Sequence, residues 1–139
     1  MRILIVEDDY TSRTYLKGIL AKLGQCAEAE DGAIAVAAFK EALTNNEPFD
    51  LILMDIMMPK MDGHEALQEI RNLEREANIP PTKEVKVIMA TALSDPKNVV
   101  RAYYKGGATA YLPKPVEKSV LLDTIRGLGL SFGPKGKAS

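Results

Sequence analysis

The sequence predicts an α/β fold built on a doubly wound parallel sheet, and three observations carry that expectation. Short runs that are apolar almost throughout recur along the chain, as strands covered by helices on both faces require. Segments with apolar residues at helical spacing stand between them. The connections are short, so strand and helix alternate five times.

The first strand is "ILIV" at residues 3–6. A helix follows over 10–23, with Tyr15, Ile19 and Leu23 at spacing four. "CAEAE" at 26–30 alternates apolar and polar residues, as an edge strand with one covered face does. The second helix, 33–43, aligns Ile34, Ala37, Ala38 and Ala42. "LILM" at 51–54 is the third strand, and Asp55 stands where it leaves the core. The third helix, 63–76, places Leu67, Ile70 and Leu73 together. "ANIPPTKE" at 77–84 reads as a surface loop, because Pro80 and Pro81 cannot extend a helix.

The fourth strand is "VKVIMA", 85–90, and a fourth helix is expected over 96–105, with Asp95 as cap and Pro96 as first helical residue. "ATAYL" at 108–112 is a weaker fifth strand, and the last helix spans 119–130. Gly24, Gly32, Gly106 and Gly107 fall at helix ends or turns, where glycine most easily takes a positive φ. Residues 1–130 therefore form one domain, and "GPKGKAS" closes a flexible tail over 131–139.

Composition narrows the function. Eighteen basic against nineteen acidic residues create no global field toward nucleic acid or an anionic membrane. One cysteine, Cys26, cannot form an internal disulfide, which fits a reducing compartment. The opening apolar run is too short for a signal peptide and no later segment is long enough to span a bilayer, so a soluble cytoplasmic protein is expected.

The polar residues that interrupt the apolar pattern fall at the carboxyl ends of the strands, where ligands bind in such sheets. They are Glu7, Asp8 and Asp9 after the first strand, Asp55 at the third, Thr91 at the fourth and Lys114 after the fifth. Neighbouring parallel strands stop at similar heights, so these side chains are expected to converge. A desolvated carboxylate costs several kcal/mol unless it is paired or holds a metal. Magnesium suits a cluster that offers one or two carboxylates and leaves room for water and a phosphate oxygen. Asp55 then stands as a nucleophile for an aspartyl phosphate, with Lys114 neutralising phosphoryl charge and Thr91 donating a hydrogen bond.

"ILIVEDD", "LILMDIMMPKMDG", "VIMATA" and "AYLPKP" together resemble the receiver domain of two-component response regulators, from Arg2 to Pro115 and through the following helix. The resemblance implies a flavodoxin-like five-stranded sheet of order 2-1-3-4-5 with five helices on both faces, an order that is the stock example for a chemotaxis receiver. It implies that Asp55 accepts phosphate from a histidine kinase or histidine phosphotransfer protein. Magnesium, or manganese, would be held by Asp8, Asp55 and the main-chain carbonyl of Met57, with Glu7 acting through water. Family members carry Asp or Glu at the position of Glu7. Thr91 and Tyr111 resemble the family's switch pair, and the Lys114–Pro115 bond is similar to one commonly cis in receivers. Met57 and Leu93 are apolar where rapidly self-dephosphorylating relatives carry polar side chains, which implies a persistent phosphoryl group.

Simpler readings stand beside these. Asp8 and Asp9 also suit a helix cap. His64, the only histidine, has no accompanying motif, and the methionines after Asp55 suit packing. On the fourth helix Val99, Ala102, Tyr103 and Gly106 share one face, which leaves Val100 and Tyr104 outside with Tyr111 as a partner surface. The resemblance implies output through the fourth helix, fifth strand and fifth helix, toward an unidentified protein target, by a monomer or weak homodimer. No nucleic-acid or membrane partner is expected, nor an output domain after the last helix. A magnesium-dependent phosphatase is the enzyme alternative, but the second acid it needs two residues after the nucleophile is here Met57. Nucleotide binding lacks a glycine-rich loop after the first strand. A phosphate-independent interaction module is a third alternative, although every residue the phosphoryl chemistry needs is present. The expectation is a binding switch, not a dedicated enzyme.

Overall fold

The computed structural model describes residues 1–58, 60–92 and 108–130. Its elements are β1 (Arg2–Val6), α1 (Tyr10–Leu20), β2 (Gln25–Ala29), α2 (Gly32–Thr44), β3 (Leu51–Asp55), α3 (Gly63–Glu76), a short 3-10 turn (Pro81–Lys83), β4 (Lys86–Ala92), β5 (Ala110–Lys114) and α4 (Lys118–Gly127). The strands form one parallel sheet of order β2-β1-β3-β4-β5, a flavodoxin-like arrangement as expected. Four α-helices stand among the described residues. The fourth helix expected at 96–105 lies outside them, with Leu93, Val99, Val100, Ala102, Tyr103, Tyr104, Gly106, Gly107 and the tail 131–139.

Alternation along each strand sends side chains into two cores. Leu4, Val6, Ile52, Met54, Val87 and Met89 meet Ala35 and Phe39 of α2 and Leu67 and Ile70 of α3. Ile3, Ile5, Leu51, Leu53, Ile88 and Ala90 meet Leu16 and Ile19 of α1 and Leu121 and Ile125 of α4. The central strands therefore have no polar face to show. No helix among the described residues is long and apolar enough to cross a membrane.

Three aspartates begin three of the four described α-helices. Asp9 accepts from the Ser12 N–H at 2.8 Å, Asp31 from Ile34 at 2.9 Å and Asp62 from Glu65 at 2.9 Å. Each satisfies an N–H that has no partner inside its helix, a contribution of about 1 kcal/mol. At Asp62 the exchange is mutual, since Glu65 Oε1 accepts from the Asp62 N–H at 3.1 Å.

Several boundaries differ from the sequence pattern. α1 stops at Leu20 because the Leu23 N–H turns back to the Leu20 carbonyl at 2.9 Å. β5 begins two residues later than expected and runs on to Lys114. Thr109 accounts for the shift: its Oγ1 accepts from Val87 N–H at 2.9 Å, and its own N–H donates to the Val87 carbonyl at 2.8 Å. Pro113 is tolerated in β5 because this strand is an edge and one missing N–H costs no interior ladder bond. Neither Gly24 nor Gly32 has a positive φ; among the described residues the positive values belong to Asn46, Lys60, Asn78 and Gly129. Space requires those two glycines instead, since a Cβ at Gly24 would collide with the Met1 carbonyl and one at Gly32 with that of Met61. The 77–84 connection contains the 3-10 turn and is held to Glu74 twice, its main-chain carbonyl accepting from the Ile79 N–H at 3.0 Å and its Oε2 from the Val85 N–H at 2.7 Å.

Candidate functional site

Parallel register sets the site. Val6 lies opposite Met54, Asp55 opposite Ala90, Thr91 opposite Pro113 and Ala92 opposite Lys114. The strands thus end at matched heights, and Glu7, Asp55, Thr91 and Lys114 emerge along one edge although they are far apart in sequence. Glu7, Asp55 and Thr91 are buried, at 2%, 4% and 2% exposure. Asp8 is exposed beside them.

Lys114 Nζ lies 3.0 Å from Asp55 Oδ1 and 3.3 Å from Glu7 Oε1. One carboxylate oxygen from each of Glu7, Asp8 and Asp55 lies within 4.8 Å of the other two. Three carboxylates against one ammonium leave excess negative charge, and the donors are all oxygen. That donor set fits a hard divalent cation such as magnesium. Asp55 Oδ1 also accepts from the Met57 N–H at 3.4 Å, while the Met57 side chain is 61% exposed.

Burial pushes the Asp55 carboxyl above its ordinary value, and Lys114 only partly opposes it. Burial likewise raises Glu7, with the Asp9 N–H and Lys114 opposing and Asp55 adding to the rise. For Lys114, burial works to lower the ammonium, but the hydrogen bonds and charges of Asp55 and Glu7 outweigh it and its pKa goes up. The directions agree: the pocket favours more positive charge than it holds.

The two acids that each suited a cap divide the tasks. Asp9 caps α1, whereas Asp8 belongs to the carboxylate cluster. Tyr111 packs at the margin of the α2–α3 core, and register puts it opposite Met89, on the same face of the sheet as Thr91. The Lys114–Pro115 peptide bond is cis. His64 is buried in the first turn of α3. Val100 and Tyr104 lie outside the described residues.

Sequence reasoning missed Arg13. Its guanidinium is buried, and Nη1 donates to the main-chain carbonyl of Glu7 at 2.8 Å. The signal was present: Arg13 shares a helix face with Leu16 and Leu20, where a basic residue needs a buried partner.

Comparison with known proteins agrees with this geometry. The model of the response regulator receiver domain family matches residues 3–126. The chemotaxis protein CheY of Bacillus subtilis is 39% identical over 126 residues, which cover 89% of this chain and 93% of that protein. Probable histidine kinase 2 of Oryza sativa subsp. indica is 32% identical over 138 residues, 92% of this chain but only 13% of that much longer protein. A solved structure of the Saccharomyces cerevisiae histidine phosphotransfer protein Ypd1 with the receiver domain of Ssk1 is similar at a TM-score of 0.77 and 28% identity, covering 90% of this chain and 86% of the matched one.

Proposed function

The chain belongs to the response regulator receiver domain family of two-component signalling, and from that premise we propose that it is a binding switch controlled by phosphorylation of Asp55 in a magnesium-dependent reaction. The observation that carries this reading is the contact of Lys114 with both Asp55 and Glu7 inside a cluster of three carboxylates. Asp8, Asp55 and the Met57 carbonyl are the ligands assigned to magnesium or manganese, with Glu7 acting through water. A bound ion supplies charge neutralisation for the phosphoryl oxygens.

The donor is a phosphohistidine of a histidine kinase or phosphotransfer protein. A carboxylate oxygen of Asp55 attacks phosphorus; the P–O bond forms as the P–N bond breaks, and the bonding pair leaves on the imidazole nitrogen. An imidazole already protonated at its other nitrogen departs neutral. Lys114 offsets phosphoryl charge, and the Thr91 hydroxyl donates to a phosphoryl oxygen. The solved Ypd1–Ssk1 pair, a phosphotransfer protein with a receiver, supports this class of partner.

Output follows as a population shift in which Thr91 moves toward the phosphoryl group and Tyr111 turns inward. The surface it alters comprises the expected helix at 96–105, with Val100 and Tyr104, together with β5 and α4. The domain of 1–130 acts on itself rather than on a turnover substrate, in the cytoplasm, as a monomer or weak homodimer.

Intact-mass measurement after treatment with a small phosphodonor tests this. One phosphoryl group is expected on the native chain with magnesium, and none without it or on Asp55→Asn. Labelling of Asp55→Asn, or none on the native chain, rejects the assignment.

A further inference from the structure

Among the described residues, Arg13 is the one buried cation that touches the acidic turn without touching its carboxylates. Nη1 donates to the Glu7 carbonyl at 2.8 Å, and Nε pairs with Glu28 Oε1 on β2 at 3.0 Å. The guanidinium also lies over the Tyr10 ring, 5.6 Å from its centroid. Lys17 Nζ holds the second Glu28 oxygen at 2.9 Å. The Glu7 N–H donates to the Ala29 carbonyl at 3.0 Å, so both main-chain polar groups of Glu7 are tied toward β2 or its partner. Its carboxylate is left to Lys114 and to the Asp9 N–H at 3.1 Å.

This division has a consequence for charge. A second cation placed on the Glu7 or Asp8 carboxylates, in addition to Lys114, would offset the remaining negative charge and remove the reason for a metal. Arg13 instead engages a neutral carbonyl, and its own charge is matched by Glu28. The turn is thereby fixed while its carboxylates stay available. The planar guanidinium can reach the carbonyl and the carboxylate at once, which a lysine ammonium does less well.

We propose that Arg13, anchored by Glu28, is a positioning residue for cation binding: it holds the Glu7–Asp8 turn at the spacing from Asp55 that lets the carboxylates share one ion. This rests on the magnesium reading above. The role resembles that of outer-shell groups in metal sites, whose loss weakens binding about 10- to 100-fold.

The test is calorimetric titration of magnesium chloride into the full chain, run alongside thermal melts without metal. Arg13→Ala is expected to weaken magnesium binding about tenfold, Arg13→Lys less, and Glu28→Ala by part of the same loss. Combining Glu28→Ala with Arg13→Ala is expected to add nothing to Arg13→Ala alone, because Glu28 acts through Arg13. Ile125→Val, a core truncation in α4, is the control: it lowers the melting temperature and leaves magnesium affinity unchanged. Arg13→Ala that binds within about twofold of the native chain overturns the proposal, as does an equal loss in Ile125→Val, which would mark general destabilisation. If Arg13→Ala does not fold, Arg13→Lys decides, and native affinity there overturns the proposal. A native chain that takes up no magnesium rejects the site reading itself, a result distinct from an unaffected variant.

Discussion

Lys114 on the edge strand and Asp55 on the central strand meet at 3.0 Å across β4, where burial disfavours the charged carboxylate while the pairing favours the charged ammonium. Opposite effects are expected from removing the two partners. In metal-free buffer at neutral pH, Asp55→Asn removes a buried charge and should stabilise the fold by roughly 1 kcal/mol, while Lys114→Met leaves two buried carboxylates facing each other and should destabilise it by roughly 1–3 kcal/mol. Urea denaturation of both variants checks the signs, and equal signs would refute the charge imbalance.

The pH dependence follows from the same imbalance. Glu7 and Asp55 titrate above their ordinary values of 4.5 and 3.8, chiefly through burial. The folded state therefore keeps protons that the unfolded chain has already shed. Their stabilising contribution is full below the ordinary carboxylate range and is lost as pH rises through the raised values. Metal-free melts between about pH 4 and 7 should show this component in the native chain and a smaller one in Asp55→Asn. Identical profiles would contradict it.

A second buried ion pair lies away from the site. Arg71 Nη1 holds Glu74 Oε1 at 2.7 Å and the Val85 carbonyl at 3.0 Å, while Glu74 Oε2 accepts from the Val85 N–H. Glu74→Ala removes the carboxylate that neutralises a buried guanidinium and should cost about 3–5 kcal/mol, whereas the double change to Arg71→Met and Glu74→Met should cost far less. Denaturation midpoints of the two variants decide, and a loss that is no larger in the single variant would show that the pair is not what fixes the 77–84 connection.

Gly63 begins α3 against the end of β3. A Cβ there would stand 2.7 Å from the Asp55 carbonyl oxygen and 2.9 Å from Ile56 Cα, both backbone atoms that cannot rotate away. Gly63→Ala should therefore destabilise the fold by roughly 1–3 kcal/mol despite alanine's better helix propensity. A melting temperature equal to that of the native chain would show that the loop yields without cost.

Phosphoryl lifetime depends on what can orient water beside Asp55. The exposed thioether of Met57 offers no strong donor or acceptor. Once formed in magnesium buffer, the phosphorylated chain should persist, and Met57→Asn should shorten its lifetime. Loss from the native chain within seconds, followed by mass measurement, would count against this.

The apolar runs at "ILIV", "LILM" and "VKVIMA" announced strands covered on both faces because, Lys86 aside, every residue in them had to leave water. The helices were legible where a cap and a stripe coincided, most clearly at α3, whose bounds Gly63–Glu76 matched the pattern at both ends. β5 was less legible. Thr109 pairs with Val87 on a neighbouring strand, and nothing in the local pattern around residue 109 reports that contact.

By itself the sequence determined the element types, the layering and the set of polar residues at strand ends, since each follows from the solvation of side chains within a few positions of one another. Only the tertiary structure decided which of those residues meet. Register brings Asp55 and Lys114 together, separates Asp8 in the carboxylate cluster from Asp9 at the helix cap, and ties Arg13 to both Glu28 and the Glu7 carbonyl. Apart from the local Asp9 cap, these relationships join separate elements, so they exist only once the sheet has formed.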